Sequence, residues 1–324
     1  MDAPPPDLRT PVTLLTGWLG SGKTTLLQRL LAAPEGRRYA VLVNEFGEIG
    51  IDDRLVRRSD EEVVELQNGC VCCSIRGDLV RTLLRLQRRR RPWARRRRFD
   101  RVLIETTGLA EPAPLLRTFL VEEEVAATYR LESVVTLVDA AHAELALAER
   151  AAVEQVALAD LLLLNKTDLV EPERVEELSV RLRSVNPIAP LRRTVHAEVP
   201  LEEVLAARRH ESEVAAPPTE HGHALDGIES VVLRSEHPLD EMKAQLWLGG
   251  VTNLLGPRLI RCKGFLYLAG RPHRGILQGV YELYSVEAGE PWAEGEPRRN
   301  ELVFLGRELD RGFLERGLEA ARAD

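Results

Sequence analysis

The chain has 324 residues, four cysteines and a formal net charge of −7. This length allows two domains and a core that needs no covalent cross-links, and the acidic balance excludes a general attraction to nucleic acid or anionic lipid. Every apolar run is shorter than the roughly 18 residues that a membrane span requires, so no membrane association is expected. Clustered cysteines and the absence of an N-terminal signal pattern favour a cytoplasmic protein.

The first two thirds of the chain alternate short apolar runs with helical patterns. This alternation predicts an α/β fold, with a parallel sheet covered by helices on both faces. The predicted strands lie at residues 12–16, 40–44, 102–105, 133–138 and 161–165. Helices are expected between them, one over 77–86 and another ending near Val185, where apolar residues recur three and four positions apart before Pro187.

A segment rich in Pro, Gly and His at residues 215–227 predicts a linker between a domain of residues 1–214 and a smaller one of residues 228–324. The smaller domain is expected to be α+β, with a helix over 240–247 and a last helix capped by Asp310. Its strand-like runs lie at residues 230–234, 259–268, 275–286 and 301–305.

A glycine-rich loop separates the first predicted strand from a helical pattern. It is formed by Gly17, Trp18, Leu19, Gly20, Ser21, Gly22, Lys23, Thr24 and Thr25. In such a P-loop, backbone N–H groups surround the phosphates, the lysine reaches the β- and γ-phosphates, and the threonine binds Mg²⁺. A plain strand-to-helix turn would not need Lys23 and Thr24 in this register. The loop predicts the P-loop NTPase fold and a catalytic site that includes both residues.

The choice of base is predicted from Asn165, Lys166 and Asp168, which follow the buried-looking run at residues 161–164. An aspartate here accepts hydrogen bonds from guanine N1–H and the exocyclic amine, whereas adenine offers neither donor. Short matches to this pattern also occur in ordinary turns. Because this one follows a late parallel strand, it favours GTP and GDP as the bound nucleotides.

Glu105 ends another predicted strand and is followed by Gly108. NTPases place a carboxylate that holds Mg²⁺ or its water at a strand end facing the P-loop, so Glu105 is a candidate catalytic residue. Gly108 would leave room beside the γ-phosphate. Without the P-loop, Glu105 would be interpreted as an ordinary polar strand end.

Three cysteines, Cys70, Cys72 and Cys73, form a C-x-C-C cluster before a predicted helix. Thiolates suit Zn²⁺ and other late transition metals such as Co²⁺, and a helix N-terminus lowers nearby thiol pKa values. A redox cluster, an adventitious run and a structural site completed elsewhere are the alternatives. Three sulfurs with one exchangeable ligand would make a metal site suited to transfer.

An acidic loop at residues 44–53 follows the second predicted strand. Its carboxylates are candidates to bind Mg²⁺, to position water or to complete the cysteine site, and Glu45 is the candidate fourth metal ligand. A basic segment at residues 88–98 surrounds Trp93, and a linker that is solvated or faces an acidic partner is favoured there over a nucleic-acid site. The isolated Cys262 is expected to be a small core residue.

Taken together, these motifs resemble the CobW-type family of P-loop GTPases, relatives of the nickel-insertion GTPases of urease and hydrogenase maturation. The resemblance rests on the P-loop, the acidic loop, the C-x-C-C cluster, the Glu105 and Gly108 pair, and Asn165 to Asp168. Residues 261–272 and 280–282 resemble the family's C-terminal domain. The similarity extends over nearly the whole chain.

The resemblance implies a GTPase whose nucleotide state controls metal binding and delivery to a client metalloprotein. Slow intrinsic turnover is expected because the sequence identifies no water-positioning residue. Zinc is the expected metal, and a homo-oligomer is compatible with the sequence. Many relatives carry a long His-rich tract, whereas this chain has His221 and His223 alone in that region. The alternatives are a non-catalytic GTP-binding metal sensor, a cobalt-handling GTPase of cobalamin biosynthesis and a small-molecule kinase.

Overall fold

The computed structural model describes residues 8–32, 38–43, 62–65, 74–88, 99–205 and 227–323. Contacts divide the chain into two compact units, the first built mainly from described residues up to 205 and the second mainly from residues 227–323, with the short stretches 156–158 and 177–189 grouped with the second. No helix in the described part of the chain is long and apolar enough to cross a membrane.

The N-terminal part alternates strands and helices. The strands are β1 (Thr10–Gly17), β2 (Tyr39–Val43), β3 (Glu62–Glu65), β4 (Arg101–Glu105), β5 (Tyr129–Asp139), β6 (Leu161–Asn165) and β7 (Leu191–Arg193). The helices are α1 (Lys23–Ala32), α2 (Ser74–Arg88), α3 (Ala113–Val121), α4 (Glu123–Thr128), α5 (Ala143–Leu147), α6 (Arg150–Ala157), α7 (Pro172–Val185) and α8 (Leu201–Leu205). All seven strands pair in parallel, in the order β3-β2-β4-β1-β5-β6-β7.

Apolar side chains explain why these segments form a parallel sheet. Every residue of β2 and of β6 is buried, as expected for strands covered on both faces. Leu26 and Leu30 of α1 pack with Leu15, Leu103 and Val135 of the central strands. The predicted α/β fold and its five predicted strands are confirmed.

Two strands were not predicted. β3 contains two valines between glutamates, and β7 contains one leucine before two exposed arginines. Each joins the sheet through backbone hydrogen bonds to a neighbour, β3 to β2 and β7 to β6. Edge strands need little apolar sequence of their own, because a single neighbour completes their pairing.

The C-terminal part is a five-stranded antiparallel sheet with two helices. Its elements are β8 (Glu229–Ser235), α9 (Glu241–Leu255), β9 (Leu259–Leu266), β10 (His273–Val280), β11 (Leu283–Pro291), β12 (Asn300–Gly306) and α10 (Arg311–Ala320). The strand order is β11-β10-β9-β12-β8. Leu248 and Leu314 of the helices pack with Phe304 and Cys262 of the sheet. Burial raises the pKa of the Cys262 thiol to about 12, so Cys262 is the core residue that was predicted.

The run at residues 275–286, predicted as one strand, is a hairpin of β10 and β11. Its turn contains Tyr281 with φ 54°, a conformation that sequence reasoning assigns to Gly, Asn or Asp. Helix α9 also continues past the predicted end at residue 247 to Leu255. Of the predicted linker at residues 215–227, Gly227 alone lies within the described residues.

Asp310 caps α10, as predicted, because its Oδ1 accepts a hydrogen bond of 3.0 Å from the Phe313 N–H. Replacing it, Asp310→Ala, should lower the free energy of unfolding by about 1 kcal/mol, because one helix N–H loses its partner. Urea denaturation of the full chain measures this change. Asp310→Ser retains an acceptor and should restore most of the loss. An alanine variant as stable as wild type would contradict the capping role.

Candidate functional site

The P-loop connects the end of β1 to the start of α1. Its glycines Gly17, Gly20 and Gly22 have φ values of 136°, 72° and 107°. At Gly22 a side chain is excluded twice, because this backbone conformation is rare for other residues and a Cβ would lie 2.5 Å from Asn165 Nδ2. The backbone of the loop therefore approaches neighbouring groups that a larger residue would displace.

Lys23 begins α1 and is buried, with 7% of its surface exposed. Its Nζ donates hydrogen bonds to the carbonyl oxygens of Gly17 at 2.9 Å and Trp18 at 3.0 Å. Burial lowers the pKa of Lys23, and the nearby charge of Glu105 acts in the opposite direction. The lysine thus holds a cationic group inside the curve of the loop.

Thr24 and Glu105 are in contact beyond the carboxyl ends of the central strands β1 and β4. Thr24 Oγ1 donates a hydrogen bond of 2.7 Å to Glu105 Oε1, and Glu105 is buried. Parallel pairing of β1 with β4 places Leu15 opposite Glu105, so both strands end at the P-loop. A hydroxyl and a carboxylate oxygen are the ligand types that Mg²⁺ prefers, so this donor set fits the predicted magnesium site.

Buried hydroxyl groups support the fit to a phosphate ligand. Among the described residues, the side-chain oxygens of Thr16, Ser21 and Thr107 have no hydrogen-bond partner. Thr16 and Ser21 belong to the end of β1 and to the P-loop, and Thr107 follows Glu105 by two residues. Because buried polar groups ordinarily require partners, these three hydroxyls are available to a polar ligand.

Gly108 lies directly against the P-loop. A Cβ at this position would overlap the backbone nitrogen and Cα of Leu19. Of the remaining P-loop residues, Gly20 is exposed, and Thr25 is exposed in the first turn of α1. The structure therefore brings together the P-loop, Glu105 and Gly108 at the carboxyl ends of the central strands.

Asn165 joins three parts of the site. Its Nδ2 donates to the Ser21 carbonyl at 2.9 Å, and its Oδ1 accepts from Thr194 Oγ1 at 3.1 Å and from the Ala197 N–H at 2.8 Å. With the side chain buried and bonded on both sides, Asn165 positions the P-loop and the segment after β7 relative to β6. Sequence reasoning did not identify Thr194 or Ala197, since nothing in the sequence marks them as partners of Asn165.

Lys166 has left-handed backbone geometry, with φ 61°, and its Nζ lies 2.6 Å from Asp139 Oδ2. Burial would raise the pKa of Asp139, but hydrogen bonds from Lys166, His142 and the Ala141 N–H hold it below its usual value. Sequence reasoning missed Asp139 as well. The available signal was its position, because it is a carboxylate directly after a predicted parallel strand.

Asp168 lies in a short 3₁₀ helix, Thr167–Leu169, that follows Lys166. It is exposed, and no described side chain pairs with its carboxylate. Its two oxygens are therefore available to a ligand, in contrast to the engaged side chain of Asn165. A carboxylate can recognise a base by accepting hydrogen bonds if its oxygens are accessible in this way.

The predicted metal ligands Cys70, Cys72, Cys73 and Glu45 lie outside the described residues. Within the described ranges, no group of three or more His, Cys, Asp and Glu side chains is placed to hold a metal ion. The described backbone nevertheless fixes where the cysteine segment is attached. It leaves β3 after Glu65 and enters α2 at Ser74.

Two family descriptions match the sequence. Residues 11–193 match "CobW/HypB/UreG, nucleotide-binding domain", and residues 228–322 match "Cobalamin synthesis protein cobW C-terminal domain". The two matched ranges correspond to the α/β part and to the antiparallel part of the fold.

Similar proteins carry related names. "Zinc chaperone YjiA" of Escherichia coli is 36% identical, over 92% of this chain and 94% of the relative. "Zinc chaperone CobW" of Pseudomonas aeruginosa is 33% identical, over 97% of this chain and 92% of the relative. The crystal structure of Zn(II)-bound YjiA GTPase from E. coli has a TM-score of 0.75 at 31% identity, and the match covers 97% of this chain and 99% of that chain. The chain therefore belongs to the CobW/HypB/UreG family of GTPases, with the CobW C-terminal domain following the nucleotide-binding domain.

Proposed function

We propose that the protein is a GTP-hydrolysing metal chaperone that binds a transition metal, most favourably zinc, at Cys70, Cys72 and Cys73 and transfers it to a client protein under nucleotide control. The observation that supports the proposal is the parallel direction of β1, β2, β3 and β4, because β3, after which the cysteine segment begins, ends on the same side of the sheet as the strand that leads into the P-loop. The names of the similar zinc chaperones support the choice of metal.

The nucleotide half of the proposal assigns a role to each group at the sheet edge. Backbone N–H groups of the P-loop and the ammonium of Lys23 bind the phosphates. Thr24 and Glu105 hold Mg²⁺, which neutralises charge on the β- and γ-phosphates when it is bound. The backbone of Gly108, which lies against Leu19, borders the position of the γ-phosphate.

The proposed preference for guanine depends on the contrast between Asp168 and Asn165. The exposed Asp168 carboxylate accepts the two guanine donors, while Asn165 and Lys166 hold the loop that presents it. An adenine ring would displace water from this carboxylate without offering either donor, which costs free energy. GTP is therefore the preferred substrate.

The metal half follows from where segments leave the sheet. β2 and β3 are parallel to β1, so the segments after Val43 and after Glu65 begin at the edge that holds the P-loop. With strands about 4.8 Å apart, β3 ends about 14 Å from β1 across the sheet. Three thiolates with Glu45 as candidate fourth ligand would bind Zn²⁺, and Co²⁺ suits the same donors.

Nucleotide and metal affinity should be coupled, since β3, after which the cysteine segment begins, ends on the same side of the sheet as the P-loop. A change in the acidic loop or in the segment after Glu105 on hydrolysis would alter the metal ligands. By linkage, the factor by which GTP changes metal affinity equals the factor by which metal changes GTP affinity. Release of metal after hydrolysis would then favour its transfer from this protein to the client over the reverse reaction.

Phosphate release tests the enzymatic part. The Lys23→Ala variant should hydrolyse GTP on the order of 100-fold more slowly than wild type, because the transition state loses a cationic group. Malachite-green assay with and without Zn²⁺ measures this, and Lys243→Ala, which removes an exposed lysine of α9, is the matched control. If wild type releases no more phosphate than Lys23→Ala under both conditions, the protein is a non-catalytic GTP-binding sensor.

Base analogues test Asp168. The Asp168→Ala variant should bind GDP roughly 10- to 100-fold more weakly, whereas the affinity for IDP, which lacks the exocyclic amine, should fall less. Fluorescent-nucleotide competition with GDP, IDP and ADP measures both losses. Glu171→Ala removes a nearby exposed carboxylate as a control and should change neither. An equal loss for GDP and IDP would show that Asp168 does not read the amine.

Metal affinity in defined nucleotide states tests the coupling. Zn²⁺ and Co²⁺ should bind reduced protein with different affinities in its Mg²⁺–GDP form and in its form with a non-hydrolysable GTP analogue. The Cys70→Ser, Cys72→Ser, Cys73→Ser triple variant should lose both the affinity and the difference, since hydroxyls are poor ligands for these metals. Chelator competition provides the measurement. Tight binding that is independent of nucleotide would make the cysteines a structural site and refute the chaperone.

A further inference from the structure

A tight turn follows Glu105 at residues 107–110. The Ala110 N–H donates a hydrogen bond of 3.2 Å to the Thr107 carbonyl, which closes the turn around Gly108 and Leu109. Leu109 is 55% exposed at its tip. The turn thus connects the carboxylate of the proposed magnesium site to the segment that lies against the P-loop.

The side chain of Gln155 holds this turn from behind. Its Nε2 donates hydrogen bonds to the carbonyl oxygens of Gly108 at 3.1 Å and of Ala110 at 3.0 Å. Both N–H groups of one amide are therefore used on two carbonyls of the same turn. A glutamine is suited to this contact because its amide offers two donors on one nitrogen.

Gln155 is itself firmly placed. It belongs to α6, it is 1% exposed, and its backbone carbonyl accepts a hydrogen bond of 2.8 Å from Thr136 Oγ1 in β5. Through its side chain and its backbone, Gln155 therefore connects the turn to α6 and to β5. On the opposite side, Gly108 contacts Leu19 of the P-loop.

We propose that Gln155 is a positioning residue for GTP hydrolysis, which fixes the backbone of the 107–110 turn against the P-loop where the γ-phosphate is bound. The inference rests on the proposed GTPase function. It extends that function by naming a buried residue that does not contact the nucleotide but on which the binding of GTP depends more than the binding of GDP. GDP has no γ-phosphate, so its binding does not depend on the turn.

The test uses three variants of the full chain. Gln155→Leu keeps the approximate size of the side chain and removes both donors, and Gln155→Glu keeps the shape while placing a carboxylate against two carbonyl oxygens. Arg150→Ala, an exposed position at the start of the same helix, is the control for nonspecific effects on α6. Melting temperature and circular dichroism establish that each variant is folded.

We expect Gln155→Leu to lower the kcat for GTP by about tenfold or more, since two hydrogen bonds to the turn are lost. Affinity for a non-hydrolysable GTP analogue should fall, whereas affinity for GDP should stay within about twofold of wild type. Arg150→Ala should behave as wild type in all three measurements. The difference between the analogue and GDP is a result that general loosening of the fold would not produce.

The glutamate variant adds a readout from pH. Burial and two facing carbonyl oxygens favour the neutral carboxyl, so the pKa of the introduced Glu is raised and its protonated form donates one hydrogen bond. The ratio of Gln155→Glu to wild-type kcat should therefore rise as the pH is lowered from about 8 to about 6. The ratio for Gln155→Leu should remain constant, since leucine does not titrate.

Wild-type kcat and wild-type analogue affinity in Gln155→Leu would overturn the inference, as would equal losses for GDP and the GTP analogue. A variant that fails to fold leaves the decision to the pH profile of Gln155→Glu, where a constant ratio counts against the role. If wild type binds GTP without hydrolysing it, the proposed turnover fails. The comparison of analogue and GDP affinity then still decides whether Gln155 positions the γ-phosphate side of the site.

Discussion

Parallel pairing of β1 with its two neighbours, and of β5 with β6, determines where the groups of the nucleotide site lie. Leu15 is opposite Glu105 on β4, and Gly17 is opposite Leu137 on β5. Because parallel strands bring their carboxyl ends to one side of the sheet, the P-loop, the Glu105 carboxylate and the loop after β6 emerge near one another. A shift in this register would separate Thr24 from Glu105, which now form a hydrogen bond of 2.7 Å.

Loops at that edge are held together by buried polar side chains. Asn165 ties the P-loop to the segment after β7, Gln155 holds the turn after Glu105, and Asp139 anchors Lys166. A single buried hydrogen bond contributes only about 1 kcal/mol net, but leaving one of its partners unpaired costs about 1–3 kcal/mol. These contacts join the loops to one another and to the strands from which they emerge.

The sequence predicted those parts of the fold that depend on local pattern. Apolar runs identified β1, β2, β4, β5 and β6, and the P-loop residues are marked by their order along the chain. β3 and β7 were missed because an edge strand requires only one neighbour, which a sequence does not display. The hairpin of β10 and β11 was missed because its turn holds Tyr281 in a conformation that other residue types adopt more readily.

Within the site, the sequence predicted side chains that would act on the ligand and missed those that hold the loops. Lys23, Thr24 and Glu105 belong to short motifs, and the structure brings them close together, with Lys23 bonded to the P-loop backbone and Thr24 bonded to Glu105. Gln155 is 45 residues or more from the carbonyls that it binds, and Thr194 is 29 residues from Asn165. Such contacts arise from tertiary packing, so one sequence carries no local signal for them.

The buried lysine shows how the arrangement favours an anionic ligand. Burial lowers the pKa of Lys23, while the nearby charge of Glu105 acts in the opposite direction and Nζ donates to two carbonyl oxygens. Burial thus disfavours the ammonium form, and a further negative charge beside it would favour that form. A phosphate brought to the loop supplies the missing negative charge in a region where Coulomb interactions are weakly screened. Binding of a phosphate would therefore offset part of the cost of burying this ammonium, and this charge pairing would contribute to nucleotide affinity.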